Sequence, residues 1–83
     1  MKELLHFTAD WCNPCKRMAP LIERFIEDNP DIKYTKIDVD EQTDLVNTYD
    51  IQAVPTFIAV IDGEIHNRFG GVKPESVLRS IFN

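Results

Sequence analysis

Phe7-Thr8-Ala9-Asp10-Trp11-Cys12-Asn13-Pro14-Cys15-Lys16-Arg17-Met18-Ala19-Pro20 decides how this chain folds. An apolar run leads into it and a pattern of helical period leads out, so the cysteines fall where a strand gives way to a helix. They are the only two cysteines among 83 residues. The first turn of a helix leaves backbone N–H groups unpaired and carries the positive end of the dipole. A thiolate at Cys12 gains from both, with Lys16 and Arg17 adding positive charge nearby. Thiols in such settings titrate at about 3.5 to 7.5, against about 8.5 for a free cysteine. Cys12, nearer the loop and water, reads as the attacking thiol. Cys15 opens the buried stripe of the helix and reads as the resolving one.

Working outward, Glu3 to Thr8 reads as a strand. The helix runs from Asn13 to Asp28 with Cys15, Met18, Ala19, Ile22, Phe25 and Ile26 on one side. Pro14 suits its first turn, Pro20 should kink it, and Asn29-Pro30-Asp31 ends it. Ile32 to Val39 reads as a second strand. Asp40 to Tyr49 reads as a short helix with acidic residues in its first turn. Thr56 to Ile61 has the apolar character of a strand buried on both faces. Asp62-Gly63 is a two-residue hairpin turn, so Glu64 to Phe69 pairs antiparallel with that strand. Gly70-Gly71 breaks the chain, and Pro74 opens a last helix carrying Val77, Leu78, Ile81 and Phe82 on one side. The order β-α-β-α-β-β-α, with a right-handed first crossover, predicts a four-stranded mixed sheet of order 2-1-3-4, with helices on both faces. Residues 1–83 read as a single α/β domain.

The net charge of −5 and pI near 4.8 disfavour nucleic acid and anionic membranes as partners, because phosphates repel the domain as a whole. No apolar run approaches the roughly 18 residues of a membrane span. Met1 to Phe7 is too short for a secretory signal and runs straight into the motif, so a reducing cytoplasm is the expected compartment. There a CxxC is catalytic or metal-binding more often than a staple. Zinc usually needs four ligands, and only His6 and His66 could complete the set, so no metal and no cofactor is expected. Two ordinary buried cysteines are the remaining bland reading. The strand-to-helix setting favours redox chemistry over both.

The motif stretch closely resembles the active site of the thioredoxin family, whose usual form is Trp-Cys-Gly-Pro-Cys-Lys followed by a helical proline. Lys36-Ile37-Asp38-Val39-Asp40, Val54-Pro55-Thr56, Asp62-Gly63 and Phe69-Gly70 extend the resemblance, in order and spacing, over nearly the whole chain. It implies the thioredoxin fold and a monomeric thiol–disulfide oxidoreductase whose partners are protein disulfides and a thioredoxin reductase or similar donor. Cys12 and Cys15 match the family's redox-active disulfide, and Pro55 matches its cis-proline. Val54 should pair with an extended substrate segment. Trp11 and Gly70-Gly71 would rim the docking groove, with Asn13 and Pro14 between the cysteines at its centre. Trp11 as a core residue and Gly70-Gly71 as a plain turn are the competing readings.

The chain departs from the family at three points. The family opens with an extra strand and helix, so here Ile32 to Val39 should become a sheet edge, blunted by Lys33 and Lys36. Asn13 replaces the usual glycine, where it can tune the redox potential and offers a capping group. His6 stands where the family has a buried aspartate, with Lys36 matching that site's lysine. A neutral imidazole with a pKa near 6.5 can relay a proton for Cys15, though a plain core histidine is an equal reading. Two rival functions fit the same residues. One is a glutaredoxin-like reductase using glutathione. The other is a non-catalytic binding subunit that uses the groove beside Trp11.

Overall fold

A computed structural model describes residues 1–83 and contains seven elements: β1 (Lys2–Thr8), α1 (Asn13–Asp28), β2 (Ile32–Asp38), α2 (Thr43–Thr48), β3 (Thr56–Ile61), β4 (Glu64–Gly70) and α3 (Glu75–Ser80). The sheet order is β2-β1-β3-β4. β1 pairs parallel with β2 and antiparallel with β3, and β3 pairs antiparallel with β4. The predicted fold class and strand order are therefore those observed, and β2 forms one edge of the sheet.

Alternation along β1 sends its side chains to two cores. Leu4 packs with Phe57 and Ala59, with Met18, Ile22 and Phe25 of α1, and with Leu78 of α3. Leu5 and Phe7 pack on the other face with Ile37, Ile58 and Val60, against which Leu45 and Tyr49 rest. Helices thus cover both faces of the sheet. A third, small cluster holds Ala9, Cys12 and Cys15 at the end of β1, with Val39 and Val54 against it.

Local chemistry sets the ends of the elements. α1 runs unbroken through Pro20, and Asn29 closes it by donating from its side-chain amide to the Phe25 carbonyl at 2.8 Å. Asp62 and Gly63 both take positive φ, 53° and 84°, as a two-residue hairpin of primed type requires. One expectation about length fails. The second helix starts at Thr43 rather than Asp40, because Asp38 captures the preceding segment. The Asp38 carboxylate accepts from Asp40 N–H, and its carbonyl accepts from the N–H groups of Glu41 and Gln42. Only Asp44 is left in that helix's first turn. The hairpin also carries an irregularity: Ala59 faces Asn67 while Val60 faces Ile65, which leaves His66 as an extra residue on β4.

Candidate functional site

Cys12 and Cys15 are joined in a disulfide with their Cα atoms 5.3 Å apart. Cys12 is the N-cap of α1, and the Cys15 N–H donates to its Sγ at 3.1 Å. A helix-terminal donor is therefore aimed at the sulfur on which charge appears when the disulfide opens. Exposure does not separate the two cysteines as the sequence suggested. Cys12 is 3% exposed and Cys15 5%. Their difference lies in helix position: one is the cap, the other is already inside the first turn. Asn13 is not the cap. It is the first helical residue, exposed, and Pro14 follows it in the first turn.

Trp11 is 66% exposed, so it is no core residue, and its indole N–H donates to Asp40 Oδ2 at 2.8 Å. Beside it lies an apolar groove of about 210 Å³ lined by Trp11, Val39, Val46, Ile51, Ala53 and Val54. The Val54–Pro55 peptide is cis. The Gly71 N–H donates to the Pro55 carbonyl at 2.9 Å, which ties the end of β4 to this loop. Gly71 has φ +88°, a conformation that favours glycine, whereas a Cβ at Gly70 would meet only ordinary contacts. The fold therefore gathers Trp11, Cys12, Val54 and Pro55 about one end of the sheet, with Gly71 attached to them through Pro55.

Behind Cys15 a second opening, a cleft of about 400 Å³, runs between α1 and the β2 edge. His6, Cys15, Lys16, Tyr34 and Lys36 line it, and so do Asp10, Asp38 and Glu41. His6 is 3% exposed and stacks on Phe57 with ring centroids 4.4 Å apart. Its Nδ1 lies 2.7 Å from the Tyr34 hydroxyl, and its Nε2 is buried without a partner. Lys36 sits opposite it in the β1–β2 register. Burial first, and then the Lys36 charge, lower the His6 pKa from 6.5 to about 4. The expectation of an imidazole titrating near neutrality is thus corrected: in the disulfide form the ring is neutral throughout the physiological range. Burial likewise raises Tyr34 to about 12, so it keeps its proton.

Sequence reasoning missed two residues of this region, Tyr34 and Asp40. Tyr34 was in reach, since it shares with Lys36 the face of β2 that His6 presents on β1. The sequence pattern places Asp40 in a helix. No three His, Cys, Asp or Glu side chains gather as metal ligands would, and no helix is long and apolar enough to cross a membrane.

A strand-to-helix CxxC disulfide, bordered by an apolar groove and a cis-proline loop on a four-stranded mixed sheet, defines the class of dithiol–disulfide folds. Comparison with known proteins narrows the class. The thioredoxin family model matches residues 1–83. Thioredoxin of Bacillus subtilis is 37% identical over 81 residues, covering 96% of this chain and 78% of that protein. Mitochondrial Thioredoxin-3 of Saccharomyces cerevisiae is 35% identical over 80 residues, covering 96% of this chain and 63% of that protein. The crystal structure of its oxidised form superposes with a TM-score of 0.90 at 34% identity, over 98% of this chain and 76% of that one. The chain spans 47% of mouse mitochondrial thioredoxin, at 35% identity. The chain belongs to the thioredoxin family.

Proposed function

We propose that this protein is a thiol–disulfide oxidoreductase that reduces protein disulfides. One observation carries the reading: the Cys12–Cys15 disulfide sits at the start of α1, with Cys12 as its N-cap, next to an apolar groove. In the reduced state the Cys12 thiolate attacks a substrate disulfide, forming a mixed disulfide and expelling one substrate thiolate. The Cys15 thiolate then attacks the Cys12 sulfur and expels the second. Two electrons pass from the dithiol to the substrate, which takes up two protons. Trp11, Asn13, Pro14, Val54, Pro55, Gly70 and Gly71 form the docking surface, and Val54 pairs with an extended substrate segment as an added strand. His6, with Lys36 beside it, accepts the Cys15 proton as a neutral base. The cleft that His6 shares with Cys15 supports this role.

The proposal extends to the setting. Residues 1–83 act as one domain and as a monomer in a reducing cytoplasm, with a thioredoxin reductase as electron donor. A catalytic dithiol suits such a compartment, and a charge of −5 opposes self-association. The test is insulin reduction coupled to NADPH and thioredoxin reductase, against reduction of a small glutathione mixed disulfide. Turnover in the first assay, lost in Cys12→Ser, supports the proposal. Turnover confined to the second contradicts it.

A further inference from the structure

Arg68 lies on β4, opposite Ile58 of β3. Opposed residues of an antiparallel pair share a face of the sheet. For Arg68 this is the face of Ile58 and Val60, on which Leu45, Tyr49 and Ile51 rest. Arg68 pairs with no carboxylate. Its guanidinium donates instead to two successive backbone carbonyls, those of Tyr49 at 2.7 Å and Asp50 at 3.4 Å. α2 has little else to hold its end. It contains no buried residue and no side-chain cap, and Tyr49 is its C-cap. Asp50 follows with φ 53°, a conformation that residues other than glycine seldom adopt. The last carbonyls of a helix have no partner within it, so a cation there is favoured. Next come Ile51 to Val54, all four of which line the groove beside Trp11. At its far end this segment is tied down again, by the Gly71 N–H on the Pro55 carbonyl at 2.9 Å. Val54, the residue proposed to pair with substrate, lies between the two ties.

We propose that Arg68 is a positioning residue for substrate docking: its fork on the Tyr49 and Asp50 carbonyls fixes the segment Ile51 to Val54 that walls the groove beside Trp11. This role deepens the disulfide activity proposed above and rests on it. A wall already in place spares the substrate the cost of ordering it. Arg68 therefore acts on binding and leaves the exchange chemistry of Cys12 alone. If release of both carbonyls leaves the wall in its competent position about a tenth of the time, apparent affinity falls about tenfold. Lysine is a poor substitute, because an ammonium is a point charge and lacks the planar fork of donors that spans two carbonyls.

The test compares wild type with Arg68→Met and Arg68→Lys. Each protein is reduced in advance and mixed with increasing insulin in single turnover. In Arg68→Met the half-saturating insulin concentration should rise about tenfold, with the plateau rate unchanged. Ellman's reagent, too small to need the groove, should react with Cys12 at the wild-type rate. Arg68→Lys should fall between wild type and Arg68→Met. A half-saturating concentration equal to wild type in Arg68→Met overturns the proposal. An equal loss with Ellman's reagent also overturns it, since Arg68 would then act on the thiols or on the whole fold. Full recovery in Arg68→Lys overturns it too, by showing that charge without the fork suffices. A second readout is independent of activity. The Ile51 N–H, bonded to the Val46 carbonyl at 2.9 Å, should exchange faster with solvent in Arg68→Met. Failure of wild type to reduce insulin sinks the proposed function. Faster exchange in the variant then still upholds the Arg68 brace, and exchange equal to wild type overturns it in either case.

Discussion

Acid should destabilise this fold through one buried residue, His6, as pH falls below 6.5. His6 is 3% exposed and has a pKa of about 4, against 6.5 when unperturbed. Above pH 6.5 the imidazole is neutral in both folded and unfolded chains and favours neither. Between 6.5 and about 4 the unfolded chain binds a proton that the folded chain refuses, so stability falls with pH. Below about 4 both states are protonated and this loss is complete. At about 1.4 kcal/mol for each pH unit, the whole window is worth about 3 kcal/mol. For a domain of ordinary stability, about 5–15 kcal/mol, that is a large share. Asp62 is also held below its usual range, by its hydrogen bond and then its charge interaction with the N-terminal ammonium. Its contribution is lost only as pH falls below 3.8, outside the histidine window. The assay is urea unfolding of the oxidised protein at pH values from 7.5 to about 4, for wild type and His6→Gln. Wild type should lose about 3 kcal/mol more than the variant over that range. Parallel curves would refute the assignment of His6 as a histidine buried neutral.

Gly71→Ala should cost about 1–2 kcal/mol in chemical unfolding, since its φ of +88° penalises a side chain although nothing lies within 4 Å of the new Cβ. Gly70→Ala, which meets only ordinary contacts, should cost clearly less. Arg68 donates to the carbonyls of Tyr49 at 2.7 Å and Asp50 at 3.4 Å, at the end of α2. Arg68→Ala should therefore lower stability by about 1 kcal/mol, seen as earlier hydrogen exchange of Ile51. Asp40→Ala frees the Trp11 indole. It should raise the KM for insulin severalfold and shift Trp11 fluorescence, with a stability change within about 1 kcal/mol.

Much of this architecture could be read from residue patterns because local chemistry and global packing agree. Asp62-Gly63 specified its hairpin, Asn13 to Asp28 its helix, and the alternation of β1 its two cores. The misses have a common origin: they depend on who sits across the sheet or the loop. Asp38 draws Asp40, Glu41 and Gln42 into a turn, which shortened the predicted second helix. His66 is expelled from register by a pairing that no local pattern encodes. Cys12 was expected to be open to water, yet Ala9, Val39 and Val54 close over it. The family resemblance singles out His6, just ahead of the motif, but not its pKa, because its burial and the Lys36 opposite it are properties of the assembled sheet.

The proposed exchange divides the labour between the two thiols. Cys15→Ser and Cys12→Ser variants should each be reduced, mixed with a disulfide-bonded protein and examined by mass spectrometry for a covalent adduct. Cys15→Ser should accumulate a mixed disulfide mapped to Cys12, while Cys12→Ser accumulates little. An adduct mapped to Cys15 as the main product, or none in either variant, would contradict it.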